Sequence, residues 1–501
     1  MQERMGNALN KLRSLDRYTK FAIIIILIGI IMRFVLALPY HVAGDGCWHI
    51  SNARFIANNY KIPLYEPLGR DQPFWSPPLF HIVSAVFYRA FGLFGIGAAD
   101  FGIKLVSPLF SSLALIFSYL ILKNLFDKKA AFYGTLFATF LPISIDYGVF
   151  SYADSMLTFF ILASVYYALK NKILISALSL SLAILTKYTG LVIIPVIIYI
   201  IFIKSSKSFL RKSAVMLAIT AAVSSLWYIR NWAYLKNPVY PVLNSLFNGI
   251  EVGTTYSGFD FSRLFSINSI IFPFLEFFGV PDGNPSNIFF YNVPFLSAIL
   301  AIWLISILLF ILPIFFGLRI NKETRNIAIV WMLGFLLAGV LHILNVGWSI
   351  GRRLLPITII LAFFWGNGIK NITKKTGHGI IIFSILALII GGFVAVEIAK
   401  VNLAADSWGL YQDDFSWVKQ NTEKDAVFMA GGQCLSYNID RFAYQDSPDN
   451  LEKVKYAWVN QDFRLDKRVI MDASLLSEIR SRGEIVYRNE KTKTEIYRLK
   501  Q

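Results

Sequence analysis

The chemistry in this chain starts with an acid and an imidazole four residues apart. In Gly44-Asp45-Gly46-Cys47-Trp48-His49-Ile50-Ser51-Asn52-Ala53-Arg54 the carboxylate of Asp45 stands just past the end of an apolar run. A helix continuing through Arg54 puts Asp45 and His49 on one face. An acid so placed can act as a general base or a metal ligand, with a solvated interfacial carboxylate as the plainer alternative. A second acid, Asp154 in Ser151-Tyr152-Ala153-Asp154, heads another apolar run, where it either caps a helix or serves an acceptor, roles that are compatible. Asp45, His49 and Asp154 together offer a mixed oxygen and nitrogen set suited to Mn²⁺ or Mg²⁺. Two carboxylates are few for a metal when one is the base, so the expectation is no cofactor, with His49 orienting Asp45 or contacting an acceptor.

Cations form the second group. Lys187 lies in Thr186-Lys187-Tyr188-Thr189-Gly190, and Arg352-Arg353 head a later apolar run. Both positions fall on the side of the membrane where charge sorting disfavours cations. An anionic ligand such as a lipid phosphate accounts for them; snorkelling to headgroups is the alternative. Arg33, inside the first apolar run, has the same two readings with snorkelling ahead. Trp227, Trp232, Tyr240 and Trp348 read as an interfacial belt rather than a sugar platform.

These groups need elements to hold them, and the composition says which. Of 501 residues 56% are apolar and 16% charged, against ~45–50% and ~25% in soluble chains, so this is a membrane protein. Lys+Arg 48 minus Asp+Glu 31 gives +17, with the basic residues largely in short loops between apolar runs, which excludes a nucleic-acid partner as their explanation. Five His, two Cys and no Cys-x-x-Cys exclude a zinc ribbon and a disulfide framework and leave at most one bridge, Cys47 to Cys434. No signal-peptide cleavage site follows the first run, which is expected to stay.

Runs able to cross ~30 Å of hydrocarbon fall at about 21–39, 103–122, 130–146, 153–169, 213–229, 294–318, 326–345, 354–369 and 379–398. Arg13, Arg17 and Lys20 put the N-terminus in the cytoplasm, and the patches at Lys128-Lys129, Lys170/Lys172, Lys204–Lys212, Arg319–Arg325 and Lys370–Lys375 mark five more inside loops. Parity then requires 77–96 to be an interfacial or re-entrant helix within a first external loop at 40–102. The segment 173–203 leaves and returns within about 31 residues, so its Lys187 turn should sit sunk below the outer surface, lining a polar cavity. The result is a polytopic α-helical membrane domain over 1–399 with about 11 transmembrane helices and a large external loop at 230–293. A small extracytoplasmic α/β domain follows over 400–501, where charges become dense and the apolar runs AVFMA, YAWV, RVIM, EIVY and EIYRL shorten to strand length. Asp472 and Gly483 bracket a short helix there, and the runs around Asn489–Lys493 read as a hairpin.

The order of four segments resembles the GT-C superfamily of polyprenyl-phosphate-sugar glycosyltransferases, in the branch of protein O-mannosyltransferases and lipid A aminoarabinose transferases. They are Asp45 with Ala53-Arg54, Pro77-Pro78-Leu79 before a helix ending Phe91-Gly92, Tyr152-Ala153-Asp154, and Leu185-Thr186-Lys187 with Gly190. Weaker echoes are Trp227-Tyr228-Ile229-Arg230-Asn231 with Asn237-Pro238, and Arg352-Arg353-Leu354-Leu355-Pro356. The chain departs at Asp45-Gly46, where the branch has Asp-Glu, and at Trp75-Ser76 before Pro77, where the aminoarabinose enzymes have Glu-Lys. The Asp45 to His49 spacing is similar to that of archaeal oligosaccharyltransferases, which use a divalent cation. The resemblance implies a GT-C type fold in the plasma membrane and sugar transfer from a polyprenyl- or dolichyl-phosphate donor to a hydroxyl or amide of a protein, lipid or glycan acceptor, among membrane lipids. It makes Asp45 the base and puts the donor phosphate on basic residues of the outer loops, here Lys187, Arg352 and Arg353. A transporter or flippase of lipid-linked sugars is the rival, but no internal repeat of the transporter kind is visible.

Overall fold

The computed structural model describes residues 14–42, 44–67, 72–250, 260–280, 296–346, 351–376, 379–430, 433–444, 446–460 and 472–500. Among them the helices Arg17–Ala37, Gly97–Leu125, Ser206–Leu235, Lys322–Leu344 and Gly351–Lys374 are long and apolar enough to cross a membrane. Pro142–Val149 and Asp154–Leu169 meet that standard only together, bent by 113° at the break between them. The protein is therefore a mostly helical, multi-pass membrane protein with a small C-terminal sheet. The chain groups into two compact units, one of Met1–Ala37, Ser107–Val149 and Ala153–Ala399, the other of Leu38–Val106, Phe150–Tyr152 and Lys400–Gln501.

Two breaks in the first unit have local causes. The apolar run 130–146 reads as one span, yet the helix Lys128–Phe140 stops and Pro142–Val149 starts anew. Pro142 lacks an N–H and pushes the residue before it out of the helical region, and Leu141 is accordingly extended at φ −62°, ψ 127°. The second break is at Lys187, extended at φ −161°, ψ 142° between the helix Ile173–Thr186 and the 3₁₀ turn Tyr188–Ile193. The turn folds back so tightly that a Cβ on Gly190 would lie 2.7 Å from the carbonyl carbon of Ala183, which only glycine avoids. Ile194–Lys204 then completes the return.

In the second unit, the helix Asp45–Asn59 packs on Leu79–Gly92, whose 14 residues fall short of the ~20 needed to cross a bilayer. Cys47 and Cys434 form a disulfide across 387 residues of sequence. Seven residues on from Cys47, Arg54 makes a bidentate pair with Asp100 at 2.9 and 2.6 Å and donates to the Tyr437 carbonyl at 3.2 Å. Its guanidinium also lies 4.3 Å from the Tyr437 ring centroid.

The tail of this unit carries a five-stranded sheet. Its strands are β1 (Val427–Met429), β2 (Phe442–Tyr444), β3 (Tyr456–Asn460), β4 (Gly483–Asn489) and β5 (Thr494–Leu499), in the order β2-β1-β3-β5-β4. β1 runs parallel to both of its neighbours, while β5 pairs antiparallel with β3 and β4. Four of the five expected strand segments are strands, the β4–β5 hairpin turns where expected, and RVIM lies outside the described residues. Asp472 caps the helix Ala473–Arg482 by accepting from the Ser474 N–H, and Gly483 follows its end. The helix Gly379–Gly409 runs on past residue 400.

Asp414, fully buried, accepts hydrogen bonds from Tyr487 at 2.7 Å, Asn489 at 2.6 Å and Thr494 at 2.9 Å, joining the helix Gln412–Asn421 to the hairpin. Asp414→Ala strands these donors, at roughly 1–3 kcal/mol for each one left buried and unpaired. Amide exchange in Thr494–Leu499 of the full chain is expected to speed up accordingly; an unchanged rate would show that the carboxylate does not hold the hairpin.

Candidate functional site

Asp45 is the first residue of its helix, half-buried, where the partial positive charge of the helix N-terminus favours a carboxylate. His49 shares its face, as the spacing requires, but its Nδ1 lies 2.9 Å from Nε2 of His81 on the facing helix. The two rings stack at 5.0 Å inside an aromatic box to which Trp48, Phe74 and Phe80 contribute. Burial, with the neighbouring His49 adding to it, holds the His81 imidazole well below its usual range, so His81 is neutral. One ring of the pair must therefore donate and the other accept.

In the first unit, Asp154 and Lys187 come together. Asp154 is the first residue of Asp154–Leu169, and its carboxylate makes no cap. Its Oδ1 instead accepts from Lys187 Nζ at 2.6 Å, with the acid side chain 2% and the lysine side chain 21% exposed. Oδ2 is buried with no hydrogen-bond partner among the described residues. Tyr188, beside Lys187, is anchored by Trp227 Nε1 at 3.1 Å and Asn231 Nδ2 at 2.8 Å, both donating to its hydroxyl.

Trp227 is thus buried packing rather than part of an interfacial belt, and Tyr240 is buried as well. Trp232 is exposed, as a belt residue would be, and Trp348 lies outside the described residues. The direction in which an aromatic side chain faces cannot be read from its distance to a span end, which is why the four read alike in the sequence.

Arg352 and Arg353 occupy the 3₁₀ turn Gly351–Ile357, which packs against Asp154–Leu169 and Lys322–Val346. Both guanidiniums act electrostatically on Lys187, so three cations share one neighbourhood. Glu276 holds the turn in place: its Oε1 accepts from the Arg352 backbone N–H at 2.8 Å and from the Tyr147 hydroxyl at 2.5 Å. Sequence reasoning passed over Glu276, although an acid inside Ile267–Phe277, an otherwise apolar helix, is a signal that it has a function. His81, inside an apolar helix in the same way, was passed over too.

Among the described residues no group of three or more His, Cys, Asp or Glu side chains could hold a metal ion, and His49 Nδ1 and Asp154 Oδ1 have the partners given above.

Residues 76–229 match the family model described as dolichyl-phosphate-mannose-protein mannosyltransferase. No curated protein sequence matches the chain. Among solved structures, the chain is similar to ArnT from Cupriavidus metallidurans bound to undecaprenyl phosphate, with TM-score 0.64, 13% identity, and 96% of this chain and 98% of that one covered. It is similar also to the oligosaccharyltransferase of Archaeoglobus fulgidus, with TM-score 0.58, 12% identity, and 97% and 74% covered. The arabinofuranosyltransferase AftD from Mycobacteria gives TM-score 0.58 and 11% identity, with 97% of this chain and 40% of that one covered. The chain thus has the GT-C fold of these membrane glycosyltransferases, as its motif order implies, with a mannosyltransferase family pattern over residues 76–229.

Proposed function

We propose that the protein is an inverting glycosyltransferase that moves a sugar from a polyprenyl-phosphate donor to a hydroxyl, or an amide, of a protein, lipid or glycan at the outer face of the membrane. The observation that carries this reading is the gathering of Lys187, Arg352 and Arg353 in a fold shared over 96% of the chain with a structure bound to undecaprenyl phosphate. The acceptor oxygen attacks the anomeric carbon, the bond from that carbon to the phosphate oxygen breaks, and the acceptor proton passes to the Asp45 carboxylate. The lipid phosphate leaves with the bonding electron pair, and the three cations stabilise its charge. A phosphate is a good leaving group, so one carboxylate suffices where glycoside hydrolysis needs two. The cations also neutralise the phosphate, so the reading needs no metal. Turnover of a polyprenyl-phosphate sugar by the purified protein tests it; a protein that binds this donor yet never consumes it in the presence of acceptors would fail.

The topology belongs to the same proposal: eleven spans within 1–399, the N-terminus in the cytoplasm, and the first loop and the tail from about 400 outside. The Cys47–Cys434 bond supports it, since disulfides persist in oxidising compartments and two bonded cysteines share one side of a membrane. Cysteine-specific labelling from outside is expected to reach positions within 472–500 and not position 128. Labelling of position 128 from outside would invert the assignment and make 77–96 a true span.

A further inference from the structure

Arg33 is fully buried in the first unit, and the proposed reaction does not use it. Its Nε donates to Ser111 Oγ at 2.7 Å, one terminal nitrogen to the Gly29 carbonyl at 3.1 Å, and the other to the Thr139 and Ser144 carbonyls at 3.2 Å and to Ser144 Oγ at 2.9 Å. The guanidinium therefore does not snorkel. It lies across the helix Pro142–Val149 where a Cβ on Gly148 would come within 2.8 Å of Nε, so the sequence makes room for it. Among the described residues no carboxylate pairs with it or acts on it. The Thr139 carbonyl, at the end of Lys128–Phe140, supplies only the fractional negative charge of a helix C-terminus, and a whole positive charge held within a bundle calls for more.

Sharing Ser111 and Ser144 with it is a cavity of about 20 Å³, whose lining combines Ser111, Ser118, Ser144, Ser155, Thr158 and Thr358 with five alanine and leucine residues. Ser155 and Thr158 commit their protons to the carbonyls of Tyr147 and Asp154. Ser111 and Ser144 accept from the guanidinium, which leaves each its own proton to donate and polarises it toward donation. With Ser118 and Thr358, four hydroxyl protons border the cavity with no acceptor among the described residues. A small space two of whose serines, Ser111 and Ser144, take hydrogen bonds from a buried cation suits an occupant that only accepts and carries one negative charge.

We infer that this cavity is a halide site, in which a chloride ion balances Arg33 and is held by the Ser111 and Ser144 hydroxyls. The cavity also touches Ser155 and Leu355, so the ion would brace the segments that carry Asp154 and Arg352-Arg353.

Crystals of the full chain grown in sodium bromide, measured at the bromine absorption edge, are expected to show an anomalous peak in the cavity against Ser111 and Ser144. In solution, exchanging chloride for gluconate should lower the melting temperature by roughly 2–4 °C, and Ser111→Ala with Ser144→Ala should abolish that response while keeping the guanidinium. Arg33→Gln should abolish it too, and if that variant does not fold, the serine variants and the wild-type diffraction still decide. A cavity without a bromide peak, together with the same melting temperature in both salts, would assign the space to water and overturn the inference.

Discussion

Asp45→Asn is expected to lower turnover by roughly 10²–10⁴-fold, the range for loss of a positioned general base, while leaving the fold and donor binding largely as they were. The amide is close to the carboxylate in shape, and the position is half-buried at the head of a helix, so little packing changes. What disappears is the proton acceptor, together with a favourable charge at the helix N-terminus worth a few tenths to about 1 kcal/mol. Steady-state kinetics on a polyprenyl-phosphate sugar separate the two effects: kcat should fall and the donor KM should hold. Turnover near the wild-type rate would remove Asp45 from the reaction. His81→Ala makes a useful companion, because it deprives His49 of a partner and leaves Asp45 in place.

The second large effect is expected at the Asp154–Lys187 pair. Its members lie 33 residues apart in sequence and meet at 2.6 Å, with the carboxylate almost wholly buried. Lys187→Met leaves that carboxylate without its cation, and Asp154→Leu does the converse. Breaking a buried pair from one side costs about 3–5 kcal/mol, whereas replacing both members with apolar side chains is often neutral. Each single variant should therefore melt well below the wild type, and the double variant Lys187→Met/Asp154→Leu should recover most of the loss. Recovery of stability should not bring recovery of turnover, because the cation proposed for the donor phosphate is still missing. A Lys187→Met protein that melts like the wild type would mean that the pair is not buried as a unit.

The Lys187 turn was legible because of arithmetic: basic loops on both sides leave about 31 residues for a way out and a way back. Its partner was legible as an acid but not as a partner, since nothing in Tyr152-Ala153-Asp154 says which cation it will meet. Pro142 was in plain view, and the apolar count of 130–146 outweighed it; hydropathy registers transfer to hydrocarbon and ignores a missing N–H. Glu276 and His81 were hidden in the same way, each a polar residue averaged away within an apolar window. In the tail, β2 has only three residues, too few to display alternation, and it appears only through its pairing with β1. Cysteine arithmetic allowed one bridge and could not close it, because 387 residues separate the two sulfurs and no local pattern spans that distance.

That separation sets an order of events in the making of the protein. Cys47 leaves the ribosome long before Cys434 has been translated, so the helix that carries Asp45 has no covalent tie to Gln433–Ile439 until most of the chain is made. A product cut short anywhere before residue 434 keeps Cys47 as an unpaired thiol. Its reactivity toward a thiol-specific reagent would separate such a product from the full chain, whose two cysteines are bonded to each other.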